Sequence, residues 1–410
     1  MVQAVCIEFA TEMSLRILHV TPYFADAWGY GGIPRVATAL AKELGARGHA
    51  VTVCTTDAAD AHQRTQPPSG GATRTLMWNC VEIHTFSNAS NVLAYHLQCF
   101  LPRGLDRFLA THARQFDIAH LHACRNLPVS IAARRLTAAG VPYVLAPNGT
   151  ASRLERRRAA KWMYDLTIGR GDLQRAAAIL AVSESERTQL ERFGVPSARI
   201  RVVPNPVNLD EHDVARSNNF RTRHDLGNDP VVLYLGKLTP RKRVDALVRA
   251  FARLDWPDAR LVIAGNDMGA MPGVLAEVGR AGLAERTRFT GLLRGADRVD
   301  ALASADVVVY PSSDEVFGLV AFEALLAGTP VVVAGDSGCG EIIADTGGGV
   351  VVPVGDDAAL SAAIRSILAS PGEWRQRARE AAGRVRTRFG GHVIAERLDA
   401  LYHELVARLH

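Results

Sequence analysis

Two glutamates in the segment 307–335 carry the clearest chemistry in this chain. Glu315 precedes a predicted helix, and Glu323 lies within that helix in a run that is otherwise apolar. Carboxylate oxygens accept hydrogen bonds, so two of them near one helix start can hold the hydroxyl groups of a ligand. The alternative is a solvated loop residue and a partly exposed helix residue, since acids at such positions mark sites only statistically.

The elements around these glutamates predict where they lie. Both flanking strands, 307–310 and 331–334, are apolar throughout, which is typical of a parallel sheet covered on both faces. The loop between them then lies at the carboxyl edge of the sheet, where ligands bind. Backbone N–H groups of Gly318, Leu319 and Val320, at the predicted helix start, favour an anion there. An anion site flanked by two carboxylates suits a sugar nucleotide.

A second stretch, GKLTPRKR at 236–243, follows another predicted strand in the same half of the chain. Lys237 and Lys242 bracket a turn, and their charges can stabilise a departing diphosphate. A solvated basic turn before a helix is the alternative. No Asp-x-Asp motif occurs in the chain, so a metal-bridged diphosphate is not expected. Lysines in place of a metal fit that absence.

Histidines mark a third position, in the first half of the chain. His120 and His122 fall in the predicted strand 118–122 and point to one face of it. His122 ends the strand, and we expect it to donate to a sugar hydroxyl, with His120 packing beside it. A pair at this spacing can bind a metal, but no third ligand is suggested nearby, so the sequence predicts no metal site.

A glycine-rich loop follows the first predicted strand. Gly29, Gly31 and Gly32 allow a backbone to approach a ligand closely. The loop lacks the third glycine of a dinucleotide fingerprint, so it is a weak motif by itself.

Strand and helix patterns alternate in two blocks, which predicts an α/β fold of two Rossmann-like, doubly wound domains. The proline-containing segment 202–210 is the expected seam. We predict an N-terminal domain at 14–205, a C-terminal domain at 206–385, and a C-terminal helix at 386–410 that can pack back toward the first domain. The predicted strands are 16–21, 50–55, 81–86, 118–122, 143–146, 178–182 and 200–203, then 231–235, 261–264, 288–290, 307–310 and 331–334.

Composition narrows the class of protein. With 48% hydrophobic and 22% charged residues, the chain is typical of globular proteins. Its six cysteines show no C-x-x-C or histidine spacing, which argues against a disulfide framework or zinc finger and for the cytoplasm. The net charge of +5 is modest, and no nucleic-acid-binding motif accompanies it. The basic segment 153–161 is either a solvated face or a membrane-surface helix.

These stretches resemble the retaining glycosyltransferases of family four, which belong to the glycosyl transferases group one and have the GT-B fold. The resemblance runs from Arg16 to about Phe389. It rests on GGIPR at 31–35, HLH at 120–122, GKLTPRK at 236–242 and, most specifically, EVFGLVAFE at 315–323 followed by ALLAGTPVV.

The resemblance implies two domains facing across a cleft, with the nucleotide-sugar donor mainly in the second and the acceptor mainly in the first. It implies His122, Glu315 and Lys242 as catalytic residues, with His122 near the reacting sugar and Glu323 holding the ribose. The donor-binding residues that it implies are Gly32, Lys237, Lys242, Phe317, Gly318, Leu319, Val320 and Glu323.

The implied activity is a metal-independent and cofactor-free transfer of a sugar to an acceptor hydroxyl, with the anomeric configuration retained. Such enzymes often act in cell-surface polysaccharide or glycolipid synthesis, so we expect a cytoplasmic protein that can contact the inner face of the plasma membrane. A non-hydrolysing nucleotide-sugar epimerase of the same fold and a non-catalytic partner subunit are the alternatives. Base, sugar and acceptor are not determined by these motifs.

The chain departs from the family pattern at three places. Lys237 stands where an arginine is usual, so a point charge replaces a bidentate fork. Arg243 stands where glycine is common, and the loop SGCGE at 337–341 lacks a usual proline. The first departure predicts looser donor binding.

Overall fold

The computed structural model describes residues 14–25, 27–60, 63–65, 73–78, 80–151, 164, 169–213 and 219–408. The chain divides into two compact units. Met1–Pro206 and Gly391–His410 form the first, and Val207–Gly390 forms the second. The last helix therefore belongs to the unit that contains the first strand.

An eight-stranded sheet forms the centre of the first unit, in the order β3-β4-β2-β1-β5-β6-β7-β8. Its strands are β1 Arg16–Val20, β2 Ala50–Thr56, β3 Thr73–Trp78, β4 Val81–Phe86, β5 Ile118–His122, β6 Tyr143–Ala146, β7 Ala178–Ala181 and β8 Ile200–Val202. All neighbours run parallel except β3, which is antiparallel to β4 at the edge. The interior strands are buried on both faces because helices cover them.

The helices of the first unit are α1 Gly32–Ala46, α2 Asn91–Leu97, α3 Leu105–His112, α4 Leu127–Ala139, α5 Arg170–Arg175 and α6 Glu184–Arg192; a further helix, Gly391–Ala407, returns to this unit from the end of the chain. The hydroxyl of Ser183 caps α6 by accepting from the Glu186 N–H at 3.2 Å. The carboxylate of Glu186 accepts hydrogen bonds from the N–H groups of Val182 and Gly149. It thereby ties the ends of two neighbouring strands together.

The second unit has a six-stranded parallel sheet in the order β11-β10-β9-β12-β13-β14. Its strands are β9 Val231–Leu235, β10 Arg260–Ala264, β11 Thr287–Gly291, β12 Val307–Tyr310, β13 Val331–Ala334 and β14 Gly349–Val352. The helices that follow α6 are α7 Asp210–Asp213, α8 Phe220–Arg223, α9 Val244–Ala252, α10 Met271–Arg280, α11 Gly295–Ser304, α12 Leu319–Leu326, α13 Gly338–Thr346, α14 Asp357–Ala369, α15 Pro371–Phe389 and, in the first unit, α16 Gly391–Ala407.

The strand order reverses once in each sheet. In the first sheet, β1 lies between β2 and β5, and in the second, β9 lies between β10 and β12. At such a reversal the connections leave in opposite directions, which opens a crevice at the carboxyl ends of the two central strands. Two Rossmann-like α/β units are therefore present, as the sequence predicts.

Three elements differ from the prediction. The edge strand β3 was not predicted, because its residues are mostly exposed and lack an apolar pattern. The short strand β14 was also not predicted, since it follows a run of glycines. Helix α1 begins at Gly32, a residue that the sequence predicts in a glycine-rich loop, because Gly31 at φ 91° forms the N-cap and proline is compatible with the first turn at Pro34.

The cysteines also differ in part from the expectation. Cys80 is disulfide-bonded, although the spacing of the six cysteines indicates no such bond. Cys54, Cys99, Cys124 and Cys339 are free thiols. Among the residues that the structure describes, no helix is both long and apolar enough to cross a membrane.

Arg243 shows why its position favours glycine. It precedes α9 with φ 52° and ψ 40°, in the left-handed region that glycine enters without a steric penalty. We expect the free energy of unfolding of Arg243→Gly to be about 1 kcal/mol higher than that of Arg243→Ala. Both substitutions remove the arginine side chain, and only alanine keeps the backbone strain. Urea denaturation of the two variants measures this difference. Equal stabilities would contradict a strained backbone at this position.

Candidate active site

Two adjacent strands bring the predicted donor-binding loops together. β9 and β12 are hydrogen-bonded neighbours in parallel register, with Val308 opposite Leu233. Their carboxyl ends therefore lie side by side, and the loop that contains Lys242 meets the loop that contains Glu315. The tyrosine rings near these ends, Tyr234 and Tyr310, stack at 6.3 Å between centroids. The strand pairing thus joins residues that are 73 positions apart.

One carboxylate oxygen of Glu315 makes most of the contacts between these two loops. Its Oε2 accepts from the Lys242 ammonium, from the Ser312 hydroxyl at 3.1 Å and from the Tyr310 hydroxyl at 3.2 Å. The Arg241 guanidinium lies at 3.5 Å from the same oxygen. The Lys242 side chain is 6% exposed and that of Glu315 is 14% exposed. The carboxylate is therefore held rigidly by four donors.

The charges in this cluster control one another. Burial alone would raise the pKa of Glu315, but the charges of Lys242 and Arg241 lower it to about 2. Burial lowers the pKa of Lys242, and the charge of Glu315 opposes that shift. Glu315 is consequently ionised at neutral pH, and two cations lie against one anion. That excess of positive charge favours a second anion nearby.

The start of α12 supplies backbone donors beside this cluster. Gly318 has φ 78°, and a Cβ atom there would lie 2.5 Å from the Cys339 sulfur, so only glycine fits. The Cys339 N–H donates to the Glu315 carbonyl at 2.8 Å, which holds the loop against α13. The first-turn N–H groups of Leu319 and Val320 have no place in the helix's own hydrogen-bond pattern. The helix therefore starts after Gly318, as the sequence predicts, and anion binding at this start remains a prediction.

Phe317 differs from the other residues of this loop. Its side chain is 2% exposed and packs on the rings of Phe322 and Phe389, at 4.7 and 5.8 Å between centroids. Only its backbone can face a ligand in this conformation. Its predicted place among the donor-binding side chains remains a prediction that this packing does not favour.

Glu323 is fully buried and forms an ion pair. Its Oε2 accepts from the Arg298 guanidinium, which also donates to Glu211 at 3.0 Å. Arg298 is 3% exposed. Arg298 was not predicted as a site residue, although it lies four residues before the buried Leu302 and therefore on the buried face of α11. Glu323 contacts no solvent here, so its role in holding ribose remains a prediction.

Three histidines form a buried stack in the first unit. His120 and His122 of β5 stack at 4.2 Å between centroids, and His19 of β1 stacks on both at 5.2 Å. His19 Nδ1 lies 2.9 Å from His122 Nε2. His19 was missed because the sequence alone does not show that it lies opposite His120.

This stack is the one cluster among the described residues whose donor set suits a metal ion. Each histidine offers a nitrogen, and the three lie within 4.8 Å of one another. The expectation that no third ligand lies near His120 and His122 is therefore wrong. However, the rings of His120 and His122 stack nearly parallel, at 6°. The lone pairs of stacked rings lie in separate parallel planes and do not converge on one ion. The geometry favours a hydrogen-bonded stack.

The remaining predicted residues lie at loop and helix starts. Lys237 is half-buried, and its carbonyl accepts from the Tyr234 hydroxyl at 2.8 Å. Gly32 is the exposed first residue of α1. Gly32 and His122 belong to the first unit, and the other predicted site residues belong to the second.

Two family models match this chain. The model described as Glycosyltransferase Family 4 matches residues 30–211, and the model described as Glycosyl transferases group 1 matches residues 216–385. Together they span most of the chain and place the Lys242 and Glu315 loops in the second match.

Curated relatives and solved structures agree with these models. The chain is 28% identical over 410 residues to a glycogen synthase of Mycobacterium tuberculosis, covering 95% of this chain and 94% of the relative. It is 33% identical over 251 residues to a D-inositol 3-phosphate glycosyltransferase of Streptosporangium roseum, covering 58% and 57%. A sucrose-phosphate synthase from Thermosynechococcus elongatus superposes with a TM-score of 0.75 at 24% identity, covering 96% of this chain and 99% of that one. HepE of Anabaena in complex with UDP and glucose superposes at 0.75 and 19%, covering 95% and 100%.

The lowered pKa of Glu315 predicts an acid-dependent loss of stability. The folded value is about 2 against an ordinary 4.5, so the stabilisation is complete above about pH 4.5 and is lost as the pH falls toward 2. We expect the difference in unfolding free energy between the wild type and Glu315→Gln to shrink by roughly 2 kcal/mol between pH 6 and pH 3. Urea denaturation at both pH values measures it. A difference that does not change with pH would contradict the ion pair.

The buried Arg298–Glu323 pair predicts a non-additive pair of substitutions. Arg298→Met leaves the Glu323 carboxylate buried without the guanidinium and should cost about 3–5 kcal/mol. Adding Glu323→Gln removes the stranded charge, so the double variant should be more stable than Arg298→Met alone. A denaturation cycle over the four proteins gives the coupling energy. A double variant as unstable as the sum of the singles would show that the two side chains act independently.

Proposed function

The chain belongs to the glycosyl transferases group 1 and has the GT-B fold, and we propose that it transfers a sugar from a nucleotide-diphosphate sugar to an acceptor hydroxyl. We propose that the anomeric configuration is retained. We propose further that the transfer needs no metal ion and no cofactor. HepE, a structural relative, is described in complex with UDP and with UDP-glucose, which supports a nucleotide-sugar donor.

The observation that carries the proposal is the charged cluster at the ends of β9 and β12. Lys242 and Arg241 both lie against Glu315, in the loop that leads into the first turn of α12. A diphosphate placed there meets positive side chains and aligned N–H groups. As the bond between the sugar and the diphosphate breaks, negative charge grows on the departing oxygen. The same groups then stabilise that charge, and so they accelerate departure.

Glu315 supports a mechanism without a protein nucleophile. A carboxylate with a pKa of about 2 is a weak base, and its Oε2 is already occupied by Lys242, Ser312 and Tyr310. We assign Glu315 the role of holding Lys242 charged and in place. The acceptor hydroxyl then attacks the sugar carbon from the face that the diphosphate leaves, and its proton passes to the departing phosphate oxygen. Attack from the face of departure retains the configuration.

Two predicted roles need a change in the surroundings of a buried side chain. Glu323 must exchange its contact with Arg298 for ribose hydroxyls, since its side chain is fully buried in the conformation described. His122 has no contact to exchange at Nδ1, a buried atom with no hydrogen-bond partner in the described part of the chain, and it needs a sugar hydroxyl to reach that atom. Donor binding that opens the Arg298–Glu323 contact and brings a hydroxyl to His122 Nδ1 satisfies both groups.

The biological setting extends this proposal. We place the transfer in cell-surface polysaccharide or glycolipid synthesis on the cytoplasmic side, with contact to the inner face of the membrane. The basic segment 153–161 that motivates membrane contact lies outside the described residues. The support is therefore its composition, with four arginines and one lysine.

A donor panel tests the reaction class. UDP-, GDP- and ADP-sugars are incubated with the protein, with and without an acceptor extract, in the presence of EDTA. Acceptor-dependent nucleotide release that EDTA leaves unchanged is the expected result, and NMR of the glycoside product should show the donor's anomeric configuration. An isomerised free sugar without acceptor indicates the epimerase, and no turnover with any donor indicates the non-catalytic subunit.

Lys242→Met tests the site. Because it removes a charge that stabilises the leaving group, we expect a loss of about 100-fold in kcat/KM. Lys42→Met makes the same substitution at a partly buried position on α1 of the first unit, outside the charged cluster, and should change kcat/KM by no more than about twofold. Circular dichroism confirms folding of both variants. Near-normal turnover of a folded Lys242→Met protein would defeat the site assignment.

A further inference from the structure

The strand register places His19 beside His122 at the reversal point of the first sheet. β1 and β5 pair in parallel, with His19 opposite His120, and His122 follows two residues later on the same face. Leu18, Val20 and their neighbours on β5 point the other way, into the opposite core. The carboxyl ends of these two strands meet where the strand order reverses, which is where a ligand crevice forms.

The contact between His19 and His122 is a hydrogen bond between two neutral rings. Burial lowers the pKa of His19 to about 3, and burial together with His19 lowers the pKa of His122 well below its ordinary value. A neutral imidazole carries one N–H and one lone pair. One proton therefore lies between His19 Nδ1 and His122 Nε2, which are 2.9 Å apart. That proton belongs to one ring and is accepted by the other.

The two possible donors leave different nitrogens bearing hydrogen. If His122 donated, its Nδ1 would carry a lone pair, and an N–H would remain at His19 Nε2, which is buried with no partner among the described residues. If His19 donates, the second proton of the pair lies on His122 Nδ1, at the end of the strand, where a ligand can accept it. A buried N–H without an acceptor is costly, and since His122 Nδ1 is also buried with no partner among the described residues, either arrangement leaves one N–H unsatisfied until a ligand binds. The second arrangement is the one that ligand binding can satisfy.

We infer that His19 is a positioning residue: its Nδ1–H donates to His122 Nε2, holds that ring in place and keeps the proton of His122 on Nδ1, ready to donate to a sugar hydroxyl. The sugar hydroxyl in this inference rests on the proposed function, whereas the tautomer of His122 rests only on the contact between the two histidines. His120 has a separate partner, since its Nδ1 lies 2.6 Å from the Tyr402 hydroxyl of α16. It stacks on the pair without a hydrogen bond to His122.

The tautomer of His122 is directly measurable. The full chain is labelled with ¹⁵N-histidine, His122 is assigned by the loss of its signals in His122→Asn, and the ring nitrogens are recorded at pH 7. We expect His122 in the Nδ1–H form in the wild type. His19→Asn places an amide N–H near the position of Nδ1 and should keep that form. His19→Leu removes the donor and should shift His122 toward a mixture of tautomers.

A matched control separates the hydrogen bond from packing. His120→Leu removes a ring from the same stack but no donor to His122, so the tautomer should stay unchanged. An Nε2–H form in the wild type, or a tautomer that His19→Leu leaves unaltered, would overturn the inference. Should His19→Leu fail to fold, as judged by circular dichroism, the wild type and His19→Asn still decide the question.

Turnover supplies a second readout. His19→Leu should lower kcat about tenfold, the value of one hydrogen bond, with KM for the donor within about twofold, and His19→Asn should recover most of the loss. Equal losses in the two variants would count against a positioning role. If the wild type turns over no nucleotide sugar, the proposed function fails, while the ¹⁵N measurement still tests His19 by itself.

Discussion

The pairing of β9 with β12 is the constraint on which the candidate site depends. These strands are neighbours in space but are separated along the chain by two other strands of the sheet. Because they run parallel, their carboxyl ends share one edge, and the two loops that leave them meet there. Lys242 and Glu315 are in contact only because of that pairing. A change of strand order would separate every group in the cluster.

The two units handle buried polar groups in different ways. In the second unit, Glu315 and Glu323 are buried as charges, each compensated by a cation: Lys242 for the first and Arg298 for the second. In the first unit, His19 and His122 are buried as neutral rings that share a proton. Buried charges need partners because their desolvation is costly, whereas neutral imidazoles need only hydrogen bonds. In the second unit, Arg241 adds a further positive charge beside Glu315, and that excess favours an anion.

Much of the architecture follows from local patterns. The strands at 81–86, 118–122, 143–146, 231–235, 307–310 and 331–334 have the predicted bounds. The last four are continuous apolar runs, as expected of buried parallel strands. The exposed edge strand β3 and the glycine-flanked β14 carry no such pattern and were missed. The anion-favouring start of α12 was also predictable, since Gly318 ends a loop and opens an apolar helix.

The sequence by itself determined that the chain builds two parallel-sheet units and that lysines, glutamates and a glycine-opened helix lie at strand ends, because periodicity and turn chemistry are local properties. Only the tertiary structure decided which of these residues touch. It placed Arg298 on Glu323 and His19 on His122, and it turned Phe317 into the core. The Arg298–Glu323 contact joins residues that are 25 positions apart, and the His19–His122 contact joins residues that are 103 positions apart. Strand order and helix packing create these contacts, and no local pattern encodes them.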